Sequence, residues 1–346
     1  MRRDRLVRAL RREETDTTPV WLMRQAGRHL PGYRKLREQH AILEIARSPK
    51  LAAEVTLEPL RRYDVDAGVV FADISLPFLG LGVPFSIDPG LGPVVPHPIR
   101  TRADVEALTE FDARRSVPFV GAAIERFLEL EKERPIIGFA GGPFTLAAYL
   151  VEGGPSREYV ETKRLLYSDP ATFDALIERL VAMTVDYLRL QAESGAAALQ
   201  LFDTWVGAVS PAVFERHLLE PLRTVFEELK PLGRPTIYFS TGSSHLVELL
   251  ARTGADALGV DWREPLGRVR ARIGEGIALQ GNLDPGALLA PGAVVRREAR
   301  RVLDELPTGR GHVFNLGHGV LPATDPDRVE ELVGYVHATG REMRKR

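Results

Sequence analysis

Two arginines, Arg24 and Arg28, flank the segment Gln25-Ala26-Gly27 directly after a short apolar run. A guanidinium presents a rigid fork of donors that meets a carboxylate bidentately, and a glycine beside it lets backbone approach a ligand closely. The same spacing also fits two exposed arginines at the start of a helix. Other polar groups stand at the ends of other apolar runs: Asp73, the stretch Gly141-Gly142-Pro143-Phe144-Thr145, Asp203-Thr204-Trp205, Ser240-Thr241-Gly242, Asp261-Trp262, Gly281-Asn282 and Gly317-His318-Gly319. Such a rim suits anions. It contains no lysine, so it offers no Schiff-base electron sink.

Several chemistries are missing from the chain. No G-x-x-x-x-G-K-[ST] loop, no G-x-G-x-x-G after a strand, no H-E-x-x-H and no calcium-loop pattern occurs. The eight histidines form no clear i,i+4 pair. A mixed Asp/His metal site at the strand ends needs no local motif and is not excluded by these absences. With no cysteine, the chain has no thiolate nucleophile, disulfide, Cys-ligated zinc or iron–sulfur cluster. Lys+Arg total 46 against Asp+Glu 47, which speaks against a nucleic-acid surface of bulk positive charge. Six of those 46 are lysine, leaving 40 arginines. No run approaches 18 apolar residues, so no membrane span is expected. The opening MRRDRLVRALRREE lacks an apolar core and reads as a surface helix rather than a targeting peptide. A cytoplasmic enzyme is expected.

The elements that must position these groups recur with a pattern. Eight short β-rich runs lie at 20–23, 68–71, 136–139, 198–202, 236–239, 257–260, 277–279 and 312–316. Most are apolar on successive residues, as for parallel strands buried on both faces. Helical patterns fall between them, among them 171–195 with a terminal glycine, 211–230 behind Ser210 as N-cap, and 244–253 before Gly254. Strand–helix alternation repeated eight times predicts a single (β/α)₈ TIM-type barrel over 1–346, with its site at the C-terminal ends of the strands. A barrel takes roughly 250 residues, and the Gly/Pro-rich stretch 76–98 is the expected insertion. A doubly wound open sheet is the rival that periodicity leaves standing.

One stretch is more specific than any of these. PVWLMRQAGRHLPGYR at 19–34 closely resembles the N-terminal signature of the uroporphyrinogen decarboxylase family, and GFAGGPFTLAAYLVEG at 138–153 resembles its second signature. LQLFDTWVG (199–207), QGNLDP (280–285) and FNLGHGVLP (314–322) are similar to further family blocks in the same order. The resemblance spans essentially the whole chain. It implies a (β/α)₈ barrel acting as a homodimer without metal or organic cofactor. The implied reaction converts uroporphyrinogen III to coproporphyrinogen III by decarboxylating four acetate side chains, a step of haem and other tetrapyrrole synthesis.

The resemblance also assigns residues. It implies substrate binding by Arg24, Gln25, Ala26, Gly27 and Arg28, an essential aspartate at Asp73, and further site groups at Tyr149, Thr204 and His318, with Asp73, Arg24 and Tyr149 nearest the chemistry. Ala72 stands where many relatives have serine and His29 where an aromatic residue is common, and neither change removes a needed group. Decarboxylation requires an electron sink, and a pyrrole protonated at a ring carbon supplies one. A carboxylate at Asp73 beside the pyrrole N–H groups would stabilise that cation. The arginines should hold the carboxylates that do not react, because clamping the departing one stabilises the ground state. Arg24 could also organise proton delivery, but its guanidinium is a poor acid. Bound water or a substrate carboxyl group therefore stay open as the general acid. Two other functions are weighed. Cobalamin-linked methyltransferases on a similar fold need cysteine ligands that this chain lacks. A non-catalytic tetrapyrrole-binding protein would have little reason to keep Arg24, Arg28, Asp73, Tyr149, Thr204 and His318 together.

Overall fold

The computed structural model describes residues 4–88 and 92–345. Seven parallel strands form one curled sheet: β1 (Gly68–Val69), β4 (Ile136–Gly141), β5 (Ala198–Phe202), β6 (Thr236–Phe239), β7 (Ala257–Gly259), β8 (Ala278–Leu283) and β9 (His312–Leu316), hydrogen-bonded in that order. Between β1 and β4 lies a separate antiparallel pair, β2 (Ser86–Asp88) and β3 (Gly92–Val94). The pair falls inside the expected insertion at 76–98, of which positions 89–91 lie outside the described residues, as do positions 1–3 of the N-terminal opening. The strands are apolar on successive residues because both faces are covered. Leu199, Leu201, Leu258, Leu279 and Phe314 pack outward against the helices, while Ile137, Ala198, Ile237, Ala257, Ala278 and Val313 pack together on the concave face.

The first expected strand departs from the reading. Residues 20–23 form no strand, and Val20 makes only an isolated parallel bridge with Phe314. The reason lies in where the amides go. The Val20 N–H donates to the Asp66 carboxylate at 2.7 Å, the Leu22 N–H to Gln25 Oε1 at 3.0 Å and the Met23 N–H to Asn315 Oδ1 at 3.0 Å. Side chains thus satisfy donors that a ladder would otherwise use. The segment is still held on both sides, since the Phe314 N–H donates to Pro19 O and the Asp66 N–H to Val20 O, each at 2.8 Å.

The opening helix, Arg5–Leu10, is not a surface element. Leu6, Ala9 and Leu10 are buried against Trp21, Ile137 and Ala278 of the concave face. A six-residue helix has little stability alone, and burying each leucine contributes about 1.5–3 kcal/mol. Arg5 anchors it through two hydrogen bonds to Asp16, at 2.8 and 2.7 Å, and a third to buried Asp66. His337 Nε2 meets the same Asp66 carboxylate at 2.7 Å, which ties the C-terminal helix Pro326–Met343 to this end.

Three helical readings change at their boundaries. The 171–195 pattern is Pro170–Glu193, capped by Asp169 and ended by Gly195 at φ +107°. The 211–230 pattern starts behind Ser210 as expected but splits into Pro211–His217 and Leu219–Leu229. Pro221 is the cause: its ring cannot donate to the His217 carbonyl, so a new first turn begins beneath it. The 244–253 pattern holds only a 3₁₀ turn, Ser244–Leu246, and the short helix Val247–Leu250. Arg270 is tied to the backbone of its own loop, Nη1 donating to the carbonyls of Gly274 and Ile277 at 2.6 and 2.7 Å. Among the described residues no helix is long and apolar enough to cross a membrane.

Candidate active site

The C-terminal ends of the strands open into a cavity of about 600 Å³, within the range of small-molecule sites. Arg24, Gln25, Ala26, Gly27, Arg28, Asp73, Tyr149, Thr204 and His318 all line it. Among the described residues no group of three or more His, Cys, Asp or Glu is placed to hold a metal ion.

Arg24 sits in a tight turn and takes a left-handed backbone at φ +59°, costly for a residue with a Cβ. Its neighbours over-determine that conformation. Asn315 Oδ1 accepts the Met23 N–H, and Met23 O accepts the Val320 N–H at 2.8 Å. Burial is the first cause lowering Arg24's proton affinity from the usual arginine value, and the adjacent Arg28 is the second, while Tyr149 and Asp73 oppose both. Gln25 plays a different part from its neighbours. Its amide accepts from Leu22 N–H at 3.0 Å and donates to Ala67 O at 2.9 Å, so the side chain braces the turn and is 1% exposed. Ala26 and Gly27 offer the cavity backbone, and a Cβ on Gly27 would stand 2.8 Å from Arg24 O.

Asp73 follows β1 in a turn. Its Oδ1 accepts two hydrogen bonds from Ser75, from N–H at 2.9 Å and from Oγ–H at 2.5 Å. Its Oδ2 has no protein hydrogen-bond partner among the described residues. The carboxylate is therefore both a local turn brace and, with Oδ2 taken by no donor among those residues, a lining group of the cavity.

Tyr149 projects from the helix Pro143–Glu152 and packs on the Trp205 ring at a centroid distance of 4.2 Å. Burial first, and then the Asp73 charge, push its hydroxyl up to about 12, so it is a donor at neutral pH. Thr204 is held by its backbone, its carbonyl accepting from Thr241 Oγ1 at 2.7 Å. Beneath it, fully buried Asp203 accepts from Thr145 N–H at 2.8 Å, Thr145 Oγ1 at 2.7 Å and Tyr238 OH at 2.9 Å. This network binds the end of β5 to the helix carrying Tyr149. His318 Nδ1 accepts the Gly319 N–H at 2.7 Å, which leaves the neutral ring's proton on Nε2. Burial, then the Arg24 and Arg263 charges, bring the imidazole down to about 4. At neutral pH it is a hydrogen-bond donor and not an acid.

Sequence reading missed several contributors. Arg37, on the helix Pro31–Gln39, adds a third guanidinium to the lining, and one turn earlier Tyr33 joins it. Tyr33 lies within the 19–34 stretch that contains Arg24, and Arg37 lies nine residues after Arg28 on the helix that follows. Ile87 and Asp88 of the β2–β3 pair also line the cavity, although no local motif marks them. Ser75 touches it only through Asp73.

The model of the uroporphyrinogen decarboxylase (URO-D) family matches residues 1–339. The uroporphyrinogen decarboxylase of Streptomyces griseus subsp. griseus is 50% identical over 331 residues, covering 96% of this chain and 90% of that protein. That of Thermus thermophilus is 47% identical over 333 residues, covering 96% and 97%. A methyltransferase from Methanosarcina mazei has a similar fold, with TM-score 0.78 over 98% of each chain at 20% identity. With its arginine-lined cavity, matched signatures and near-complete coverage by such relatives, the chain belongs to the uroporphyrinogen decarboxylase family.

Proposed function

We propose that this protein is a carboxy-lyase that decarboxylates the four acetate side chains of uroporphyrinogen III to methyl groups, giving coproporphyrinogen III and CO₂ without a cofactor. The observation that carries the reading is the Asp73 carboxylate, its Oδ1 taken by Ser75, lining a cavity that Arg24, Arg28 and Arg37 also line. Protonation of a pyrrole ring carbon makes the ring electron-poor. The acetate C–C bond then breaks, its electron pair enters the ring, and CO₂ leaves. Protonation of the exocyclic methylene and loss of the added ring proton restore the pyrrole.

In this reading Asp73 accepts the pyrrole N–H groups and stabilises the cation. The arginines hold carboxylates that are not reacting, with Ala26 and Gly27 giving backbone approach. His318 donates through Nε2, while Tyr149 and Thr204 donate their hydroxyls. The apolar floor, which includes Phe139, Phe202 and Phe239, leaves the departing acetate poorly solvated and so favours its conversion to neutral CO₂. We further propose that residues 19–23, standing where an eighth strand would, close the curled sheet into a barrel forming one domain over 1–346, and that the enzyme works as a cytoplasmic homodimer. The bonds from Pro19 and Val20 to β9 and to Asp66 support the closure.

The test is anaerobic incubation with uroporphyrinogen III and chromatography of the products. Stepwise appearance of seven- to four-carboxylate species is expected. Asp73→Asn, which keeps shape and removes charge, is expected to lose most turnover; wild-type turnover in that variant would remove Asp73 from the chemistry.

A further inference from the structure

Ser75 is a residue that neither the signatures nor the cavity lining single out. It stands in the N-cap position of the 3₁₀ turn Leu76–Leu79, where a serine hydroxyl ordinarily accepts an amide of the first turn. Here it does not cap. Pro77 has no N–H to offer, and the Phe78 N–H is already given to the Ser75 carbonyl at 2.9 Å. The hydroxyl turns instead to Asp73 and donates to Oδ1, beside the Ser75 amide that donates to the same oxygen.

The consequence concerns the free oxygen. An aspartate carboxylate rotates about χ2 over a broad, two-fold range. Two donors on Oδ1, the amide and the hydroxyl of a residue that is 0% exposed, stop that rotation where water cannot compete. We infer that Ser75 is a positioning residue for the decarboxylation, holding Asp73 so that Oδ2 alone serves the ring N–H groups of the tetrapyrrole. This rests on the reading of Asp73 given above. It adds that the acceptor is a single aimed oxygen and not a freely rotating carboxylate. Stabilisation aimed in advance at the cation acts mainly in the transition state, so its loss should fall on kcat more than on KM.

The experiment is steady-state kinetics of Ser75→Ala, Asp73→Asn and the double variant, alongside wild type, with thermal unfolding of each. Ser75→Ala is expected to lower kcat about 10- to 100-fold, the range of one hydrogen bond to a charged group, with KM changed less than threefold. In the Asp73→Asn background the same substitution should cost little more, because there is no charged oxygen left to aim. Wild-type kcat in Ser75→Ala would overturn the inference. So would an equal loss in both backgrounds, which would mark Ser75 as a fold residue only. Normal turnover in Asp73→Asn would instead overturn the reading of Asp73 itself, and this inference with it.

Discussion

Gly319→Ala tests whether the loop after β9 sets the aim of Arg24. A Cβ built on Gly319 falls 2.4 Å from Arg24 Cδ, 2.6 Å from Cγ and 3.1 Å from Cβ. Carbon atoms pack at about 3.5–4.0 Å, so the arginine stem must move by roughly 1 Å or more. The backbone cannot absorb this, because the Met23 N–H and carbonyl are tied to Asn315 and Val320. Gly319 itself has no left-handed dihedral, so alanine brings a side chain without backbone strain. The stem faces the cavity and can swing, which keeps the stability cost near the bottom of the ~1–3 kcal/mol range for overpacking. A displacement of this size at a positioning group costs up to about 100-fold in efficiency. Since Arg24 is read as holding carboxylates that do not react, the loss should appear as a raised KM with kcat nearly kept. Steady-state kinetics on wild type, Gly319→Ala, Arg24→Ala and the double variant measures this. An unchanged KM in Gly319→Ala refutes the reasoning, as does an equal penalty when Arg24 is already alanine.

Tyr149→Phe keeps the ring on Trp205 and removes only the hydroxyl, so it should reduce kcat/KM about 10-fold, in line with one lost hydrogen bond to a charged group, with little change in Tm; unaltered kinetics would leave Tyr149 as packing. Burial holds His29, His312 and His318 each at about 4, whereas unfolded imidazoles titrate near ~6.5. The unfolded chain therefore binds more protons between those values, and stability should fall as pH drops from about 6.5 towards 4. His312→Gln should flatten that decline in a pH series of denaturant unfolding, and an unchanged slope would refute its contribution. Asp66→Ala removes the buried carboxylate shared by Arg5, His337 and the Val20 N–H, leaving Arg5 its bonds to Asp16, and breaking such a buried cluster costs about 3–5 kcal/mol. Calorimetry should show a large fall in Tm, and a Tm within 2–3 °C of wild type, which in a chain this long is roughly 1 kcal/mol, would show that the clasp is not needed.

Much of the fold was legible because its signals are local. Continuous apolar runs ending in polar residues mark parallel strands, and seven of the eight runs are strands. Residues 20–23 carry the same local signal and are not a strand, because carboxylate and amide groups from Asp66, Gln25 and Asn315 take their N–H groups. No propensity at 20–23 encodes partners up to 292 positions away. The opening helix was misplaced for a similar reason: only a half-open sheet end of the right width makes burial of Leu6 and Leu10 favourable.

The site divides along the same line. Residue type and family-specific spacing named nine groups, and all nine line one cavity. Chemical type is a property of the chain, so the arginines and Asp73 at the ends of apolar runs stand out before any fold is known, whereas Tyr149 is marked only by the resemblance of 138–153 to the family's second signature. How each is held belongs to the tertiary structure. The Gln25 amide proves to be a brace, one Asp73 oxygen is consumed by Ser75, His318 carries its proton on Nε2, and Arg37 arrives from the next helix. Protonation and aim depend on burial and on donors brought together by packing, and those energies exist only once the strands have set their ends around a common cavity.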